Sequence, residues 1–284
     1  MIVTMRDNKD LNYYLAAWQL SNPQLITQTH TSHIYTVAHE NDTVVLKLLS
    51  AVETKEQTGA LALRYFNGRG AVRLLRYDEG AHLVEYAAGP ELVTLVEHGE
   101  DENATRIIAQ VIKQLHSVPQ DAPRDGLVVL ERWFGALFSK AAADRHAGRA
   151  SLYVRGAALA ERLCADQREV RVLHGDIHHY NIRQSARGWL AFDPKGLLGE
   201  RTYDCANTLC NPGLPELVHN EARLLTHAAI LADTLAIELP RLLAFTYAYT
   251  CLNASSWAQR SDGEDIVQWF LKVAMIIEPH LEPV

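Results

Sequence analysis

One short segment concentrates the side chains that could do chemistry: His174-Gly175-Asp176-Ile177-His178-His179-Tyr180-Asn181, followed by the apolar stretch Trp189–Phe192 and then Asp193-Pro194. Phosphoryl transfer passes through a loose transition state, so a protein accelerates it mainly by positioning the reactants and setting cations against the phosphate oxygens. The acceptor hydroxyl needs a carboxylate within hydrogen-bond reach to orient it and take its proton. Asp176 offers that carboxylate. A magnesium ion needs a few hard oxygen ligands, because phosphates and waters fill the rest of its shell. Asn181 offers an amide oxygen five residues after Asp176, and Asp193 returns a second carboxylate past the next strand. A different chemistry is also open: His174 and Asp176 form an HxD pair that His178 or His179 could complete as a metal site of an oxygenase or hydrolase.

The spacing of His174, Asp176 and Asn181 matches the catalytic-loop signature of protein kinases, in which the Asp follows the His by two residues and precedes the Asn by five. The loop HGDIHHYN further resembles the HGDxHxxN loop of the aminoglycoside phosphotransferase and choline kinase superfamily. The longer series NGRGAVRLL, LVEYA, LHGDIHHYNI, RGWLAFDP and GLLGE is similar to its streptomycin/hydroxyurea phosphotransferase branch. The similarity runs from about residue 30 to the carboxyl end and is strongest over 173–200.

This resemblance implies a two-lobed, protein-kinase-like α+β fold, with an amino lobe over 1–86, a carboxyl lobe over 87–284 and ATP between them. It implies Asp176 as the catalytic base and Asn181 and Asp193 as magnesium ligands. Lys47 would hold the α- and β-phosphates, with Glu56 as its ion-pair partner. Glu85 and Ala87 would offer backbone groups to the adenine edge, and Asp204 would brace the catalytic loop. The family's phosphate-covering turn falls on Thr29–Ile34, where this chain has no glycine; Ser and Thr amides and hydroxyls are expected there instead. The absence of an activation-loop-like segment after Asp193 argues against a protein acceptor, and the branch resemblance implies a small polar acceptor with a hydroxyl group, such as an aminoglycoside or hydroxyurea. Metabolic alcohols and amino sugars fall within the same class.

The elements that must position these residues are legible as texture. Residues 33–38 and 43–49 are rich in β-branched side chains and flank a polar turn, which predicts a β-hairpin carrying Lys47. A lysine within an otherwise apolar strand is costly to bury alone, so a partner or ligand is expected. A helix is predicted from Glu53 to Tyr65, closed by Asn67-Gly68-Arg69-Gly70, then short strands over 71–76 and 82–86. Beyond Ala88-Gly89-Pro90 the pattern turns helical, with segments near 127–146, 154–166, 215–237, 240–257 and 264–277, interrupted by strands at 170–173 and 189–192.

Composition bounds the rest. The 284 residues suffice for two lobes, and 48% hydrophobic with 21% charged residues is ordinary for a globular protein. A net charge of −7 with dispersed basic residues argues against nucleic-acid binding. The four cysteines lack CxxC spacing and read as reduced thiols. No apolar run reaches the ~18 residues of a membrane span, and the amino terminus lacks a signal-peptide core, so a cytoplasmic location is expected.

Overall fold

The computed structural model of the chain describes residues 10–29, 31–49, 54–119 and 125–282, the side chains of 54–56 excepted. It begins with helix α1 (Leu11–Trp18) and strands β1 (Leu20–Gln28), β2 (Ser32–His39) and β3 (Asp42–Leu49). Helix α2 (Thr54–Phe66) intervenes before strands β4 (Leu74–Asp78) and β5 (Ala81–Glu85). Among the described residues these strands form an antiparallel sheet in the order β1-β2-β3-β5-β4.

Side chains alternate between the faces of a strand. In β3, Val44 and Leu46 are buried on one face, in a small core with Tyr14 of α1, Val37, Ala81 and Leu83. Val45 and Lys47 therefore face the other way, toward a cleft. Lys47 lies between Ile34 of β2 and His82 of β5 in the sheet register.

The remainder is mainly helical. Helices α3 (Val93–Glu97) and α4 (Asp101–Leu115) lead to strand β6 (Val128–Val129), helices α5 (Leu130–Trp133), α6 (Gly135–His146) and α7 (Leu152–Ala165), and strand β7 (Val170–Leu173). Strands β8 (Ile182–Ser185), β9 (Gly188–Ala191) and β10 (Leu197–Glu200) follow, then helices α8 (Ala206–Leu209), α9 (Pro215–Val218), α10 (Glu221–Leu235), α11 (Leu239–Trp257) and α12 (Glu264–Ile277). Helix α11 is buried along most of its length, from Leu242 to Ser255, as expected of a helix that is apolar on every side. No helix among the described residues is long and apolar enough to cross a membrane.

The strands on either side of HGDIHHYN do not pair with each other. β7 pairs antiparallel with β10, while β9 forms a hairpin with β8, the strand that begins immediately after Asn181. The hairpin brings Asn181 and Asp193 to the same end: Phe192 N–H donates to the Asn181 carbonyl at 3.0 Å.

Helix α2 joins the sheet to the helical part. Its buried face, including Ala62, Leu63 and Phe66, belongs to the large core formed with the helices. Two glycines make that approach possible. A Cβ on Gly59 would lie 2.3 Å from the carbonyl oxygen of Pro194, and one on Gly196 would lie 2.0 Å from that of Thr58. Gly196 also has a φ of +70°, a conformation that other residues adopt only with strain. The Thr58 hydroxyl donates to the Lys195 carbonyl at 2.6 Å.

Gly59→Val is expected to destabilise the protein by ~1–3 kcal/mol, because the clash is with backbone that cannot rotate aside. Gly135→Ala, where a Cβ meets nothing within 4 Å, should be neutral or stabilising. Equal thermal unfolding midpoints for the two variants would contradict the tight α2 contact.

Candidate active site

The loop after β7 is shaped from below by a buried carboxylate. Asp204 accepts a hydrogen bond from the backbone N–H of Gly175 on Oδ1 at 2.7 Å and from that of His174 on Oδ2 at 3.0 Å, and Oδ2 also lies 2.9 Å from His116 Nε2. Gly175 has a φ of +79°, so the turn that aims the next side chain requires glycine. His174 is fully buried, with both ring nitrogens engaged. Nε2 donates to the Phe192 carbonyl at 3.0 Å, and Nδ1 accepts from Asp176 N–H at 3.2 Å. Burial pushes its pKa below the ordinary histidine value. A ring held neutral by two backbone bonds has no lone pair left for a metal. The HxD oxygenase or hydrolase reading of His174 and Asp176 is thereby excluded. His178 caps the short turn His179–Asn181 through Nδ1 and likewise has a structural task.

Asp176 projects from this loop with its carboxylate held on both oxygens. Asn207 Nδ2 donates to Oδ1 at 2.8 Å, and Lys195 Nζ lies 3.0 Å from Oδ2. Asn181 Nδ2 donates to the Asp176 backbone carbonyl at 2.9 Å. That bond fixes the amide so that its oxygen points away from the loop, in the sense a metal ligand needs. Asp193, in the left-handed region at φ +58°, forms an ion pair with Lys47 at 2.5 Å. Burial alone would raise the Asp193 carboxyl, but the ammoniums of Lys47 and Lys195 outweigh it and hold the group below the usual carboxylate range. Asn181 and Asp193 supply oxygen donors of the hard type that Mg²⁺ prefers, and the donor set fits that ion.

Two cavities border this group, with Lys195 in the wall of both. One, of about 430 Å³, is lined at one end by Val45, Val72, Val84 and the backbone of Glu85–Ala87, and at the other by Lys47, Asp193 and Lys195. Thr29, Thr31 and Ser32 form its lip. There Thr29 Oγ1 accepts from the N–H groups of Thr31 at 3.3 Å and Ser32 at 3.0 Å, so a hydroxyl closes the turn that lacks glycine. The second cavity, of about 840 Å³, is lined by Asp176, Trp133, Tyr249, Asn253, Gln57 and Arg132, among others. Its wall thus includes α2 and the segment 126–136 as well as residues of α11.

One of the nominated residues, Glu85, has further partners. Glu85 donates its N–H to the Arg73 carbonyl at 2.9 Å, while its carboxylate accepts two bonds from Arg187 at 2.9 and 2.6 Å. Ala87 N–H makes no hydrogen bond among the described residues. Glu56 lies in the first turn of α2, and its side chain is outside the described residues, as is His30 in the phosphate-covering turn.

Sequence reasoning passed over Lys195, Asn207, Arg187 and His116. A lysine between proline and glycine reads as a surface turn, and Asn207 and His116 stand in no recognisable motif. Asn207 lies three residues beyond Asp204, the spacing that puts both on one face of a helical turn, and that was the available signal.

Residues 17–263 match the family described as "Aminoglycoside/hydroxyurea antibiotic resistance kinase". A streptomycin 3''-kinase of Klebsiella pneumoniae is 37% identical over 84% of this chain and 88% of its own length. A streptomycin 6-kinase of Streptomyces griseus is 34% identical over 66% of this chain and 61% of its own length. In structure, aminoglycoside phosphotransferase APH(4)-Ia in a ternary complex with ADP and hygromycin B superimposes with a TM-score of 0.63 at 13% identity, covering 97% of this chain and 100% of that one. That last likeness shows the protein-kinase-like α+β fold. The chain belongs to the aminoglycoside/hydroxyurea antibiotic resistance kinase family and is a small-molecule kinase with a hydroxyl group as acceptor.

The depressed Asp193 pKa means that its pairing stabilises the fold above the ordinary carboxylate range and that this contribution is lost as pH falls through the lowered value. Lys47→Met removes the nearer ammonium, so the carboxyl moves upward. Acid unfolding followed by circular dichroism should begin at higher pH than in wild type; coincident acid limbs would show that the pair contributes nothing.

Proposed function

We propose that this member of the aminoglycoside/hydroxyurea antibiotic resistance kinase family transfers the γ-phosphoryl group of ATP, with Mg²⁺, to a hydroxyl of a streptomycin-like aminoglycoside. The observation that carries the reading is a pair of cavities with Lys195 in the wall of both, one with an apolar end and a polar end that holds Lys47 and Asp193, the other larger and lined by Asp176. The streptomycin class is favoured by the relative from Klebsiella pneumoniae, whose similarity spans most of both chains. Trp133 and Tyr249 suit the faces of sugar rings, and Asn253 and Gln57 suit their hydroxyls.

Residues 1–86 would cover the nucleotide, and residues 87–284 would carry the catalytic loop and the acceptor site. The adenine would lie between the apolar walls of the smaller cavity, with the Glu85 carbonyl and Ala87 N–H toward its edge. Lys47 would bind the α- and β-phosphates, with Glu56 as its partner in the nucleotide complex. Asn181 and Asp193 would hold Mg²⁺, which when bound neutralises charge on the phosphate oxygens. Asp176, fixed by Asn207, would accept the hydrogen bond of the acceptor hydroxyl, aim its oxygen at the γ-phosphorus and take the proton.

Asp176→Asn keeps the shape of the loop but removes the acceptor's hydrogen-bond partner. Turnover in a coupled ATP-consumption assay with streptomycin should fall by about 10²–10⁴-fold, while ATP affinity changes little. Near-wild-type phosphorylation by this variant would remove Asp176 from the mechanism. Asp193→Ala should weaken Mg·ATP binding in a calorimetric titration, and undiminished affinity would refute its metal role. Hydroxyurea in the same assay tests the other acceptor class, and turnover of hydroxyurea alone would replace the aminoglycoside.

A further inference from the structure

Lys195 is the residue that lines both cavities; among the described lining residues no other is shared. Its surroundings fix it in place. Its N–H donates to the His174 carbonyl at 2.7 Å, and its carbonyl accepts from the Thr58 hydroxyl at 2.6 Å. Pro194 before it limits the backbone, and Gly196 after it packs against Thr58 with no room for a side chain. The side chain is about one-third exposed, with Nζ 3.0 Å from Asp176 Oδ2. A cation is thus held, on rigid backbone, against the carboxylate at the entrance to the acceptor cavity, and it also borders the cationic end of the nucleotide cavity.

We propose that Lys195 is a further catalytic residue, whose ammonium binds a non-bridging γ-phosphate oxygen and stays with the phosphoryl group as it crosses from one cavity to the other. The inference rests on the nucleotide and acceptor sites proposed above. In the transfer, the acceptor oxygen forms a bond to the γ-phosphorus while the bond from that phosphorus to the β,γ-bridging oxygen breaks. The electron pair of the broken bond leaves with ADP, and the acceptor proton passes to Asp176. Lys47 would lie on the α- and β-phosphates, which do not move. The travelling group needs a cation of its own, fixed in advance so that no reorganisation accompanies the reaction. Lys195 supplies it and also restrains the carboxylate that orients the incoming hydroxyl.

The division between the two lysines separates nucleotides with and without a γ-phosphate, and it can be read without any acceptor. Binding of Mg·ADP and Mg·AMP-PNP is measured by calorimetry for wild type, Lys195→Met and Lys195→Arg. Lys195→Met should weaken AMP-PNP by about 10-fold or more, the worth of one charge-assisted hydrogen bond, and leave ADP within about 2-fold. Lys195→Arg should recover most of the AMP-PNP affinity. In turnover with streptomycin, Lys195→Met should lower kcat by about 10²-fold with a smaller change in KM for the acceptor. Equal loss of both nucleotides, or loss of neither, would overturn the γ-phosphate role even where the wild-type enzyme phosphorylates its acceptor. A wild-type protein that binds neither nucleotide would instead defeat the kinase site itself, and this inference with it.

Discussion

The ion pair between Lys47 and Asp193 is the contact on which the site depends. It joins the middle of a sheet strand to a segment 146 residues later in the chain, so it exists only when the sheet and the helical part are docked. Neither charge is stable alone in a half-enclosed cleft. An ammonium on an otherwise apolar strand and a carboxylate in a left-handed turn would each lose hydration without compensation. Paired, they neutralise one another and wait at the end of a cavity with room for phosphates. In the proposed nucleotide complex the same two groups would have complementary tasks, one facing anionic oxygens and the other a metal.

Much of the surrounding structure can be understood as holding the two ends of that pair in register. Gly59 and Gly196 let α2 touch the segment 194–196 backbone to backbone. Arg187, at the tip of the β8–β9 hairpin, donates to the Glu85 carboxylate and to the Gly68 carbonyl at 2.9 Å, tying the catalytic hairpin to the junction after β5. Burial would raise the Glu85 carboxyl, but Arg187 keeps it below its ordinary value and hence charged. Asp204 performs the corresponding task under the catalytic loop. In each case a charged or backbone group is satisfied by a partner distant in sequence. Such contacts make the geometry cooperative, because moving one member leaves a buried polar atom unpaired. A helix locked by glycine contacts to the segment beyond Asp193 also has little freedom to swing outward.

The loop proposed as catalytic stands out in the sequence because its candidate groups are local: Asp176 and Asn181 lie five residues apart, within one turn. Lys47 was legible for the opposite reason, as a charge that contradicts its apolar strand. The helices from Leu152 onward followed from their periodicity. Strand β10 was missed because Leu197–Glu200 is only four residues long and includes a glycine, too little for an alternating pattern. Strand β8, with Arg and Gln among its four residues, looked like a loop for the same reason. Helix α1 and strand β1 carry exposed, weakly patterned residues, and only Tyr14 and Leu20 are buried there. Among the site residues, Asn207 and Lys195 act through distances that no local spacing encodes. Their roles emerge only when α8 and the turn after β9 converge on Asp176.

The most direct examination of this arrangement is a crystal structure of the wild-type protein with Mg²⁺, AMP-PNP and streptomycin bound together. The γ-phosphorus should lie in line with one acceptor hydroxyl, roughly 3–3.5 Å from its oxygen, with that hydroxyl on Asp176 and the α- and β-phosphates on Lys47. A nucleotide bound away from the Lys47–Asp193 pair, or an acceptor whose hydroxyls all lie beyond reach of Asp176, would contradict the assignment of the site.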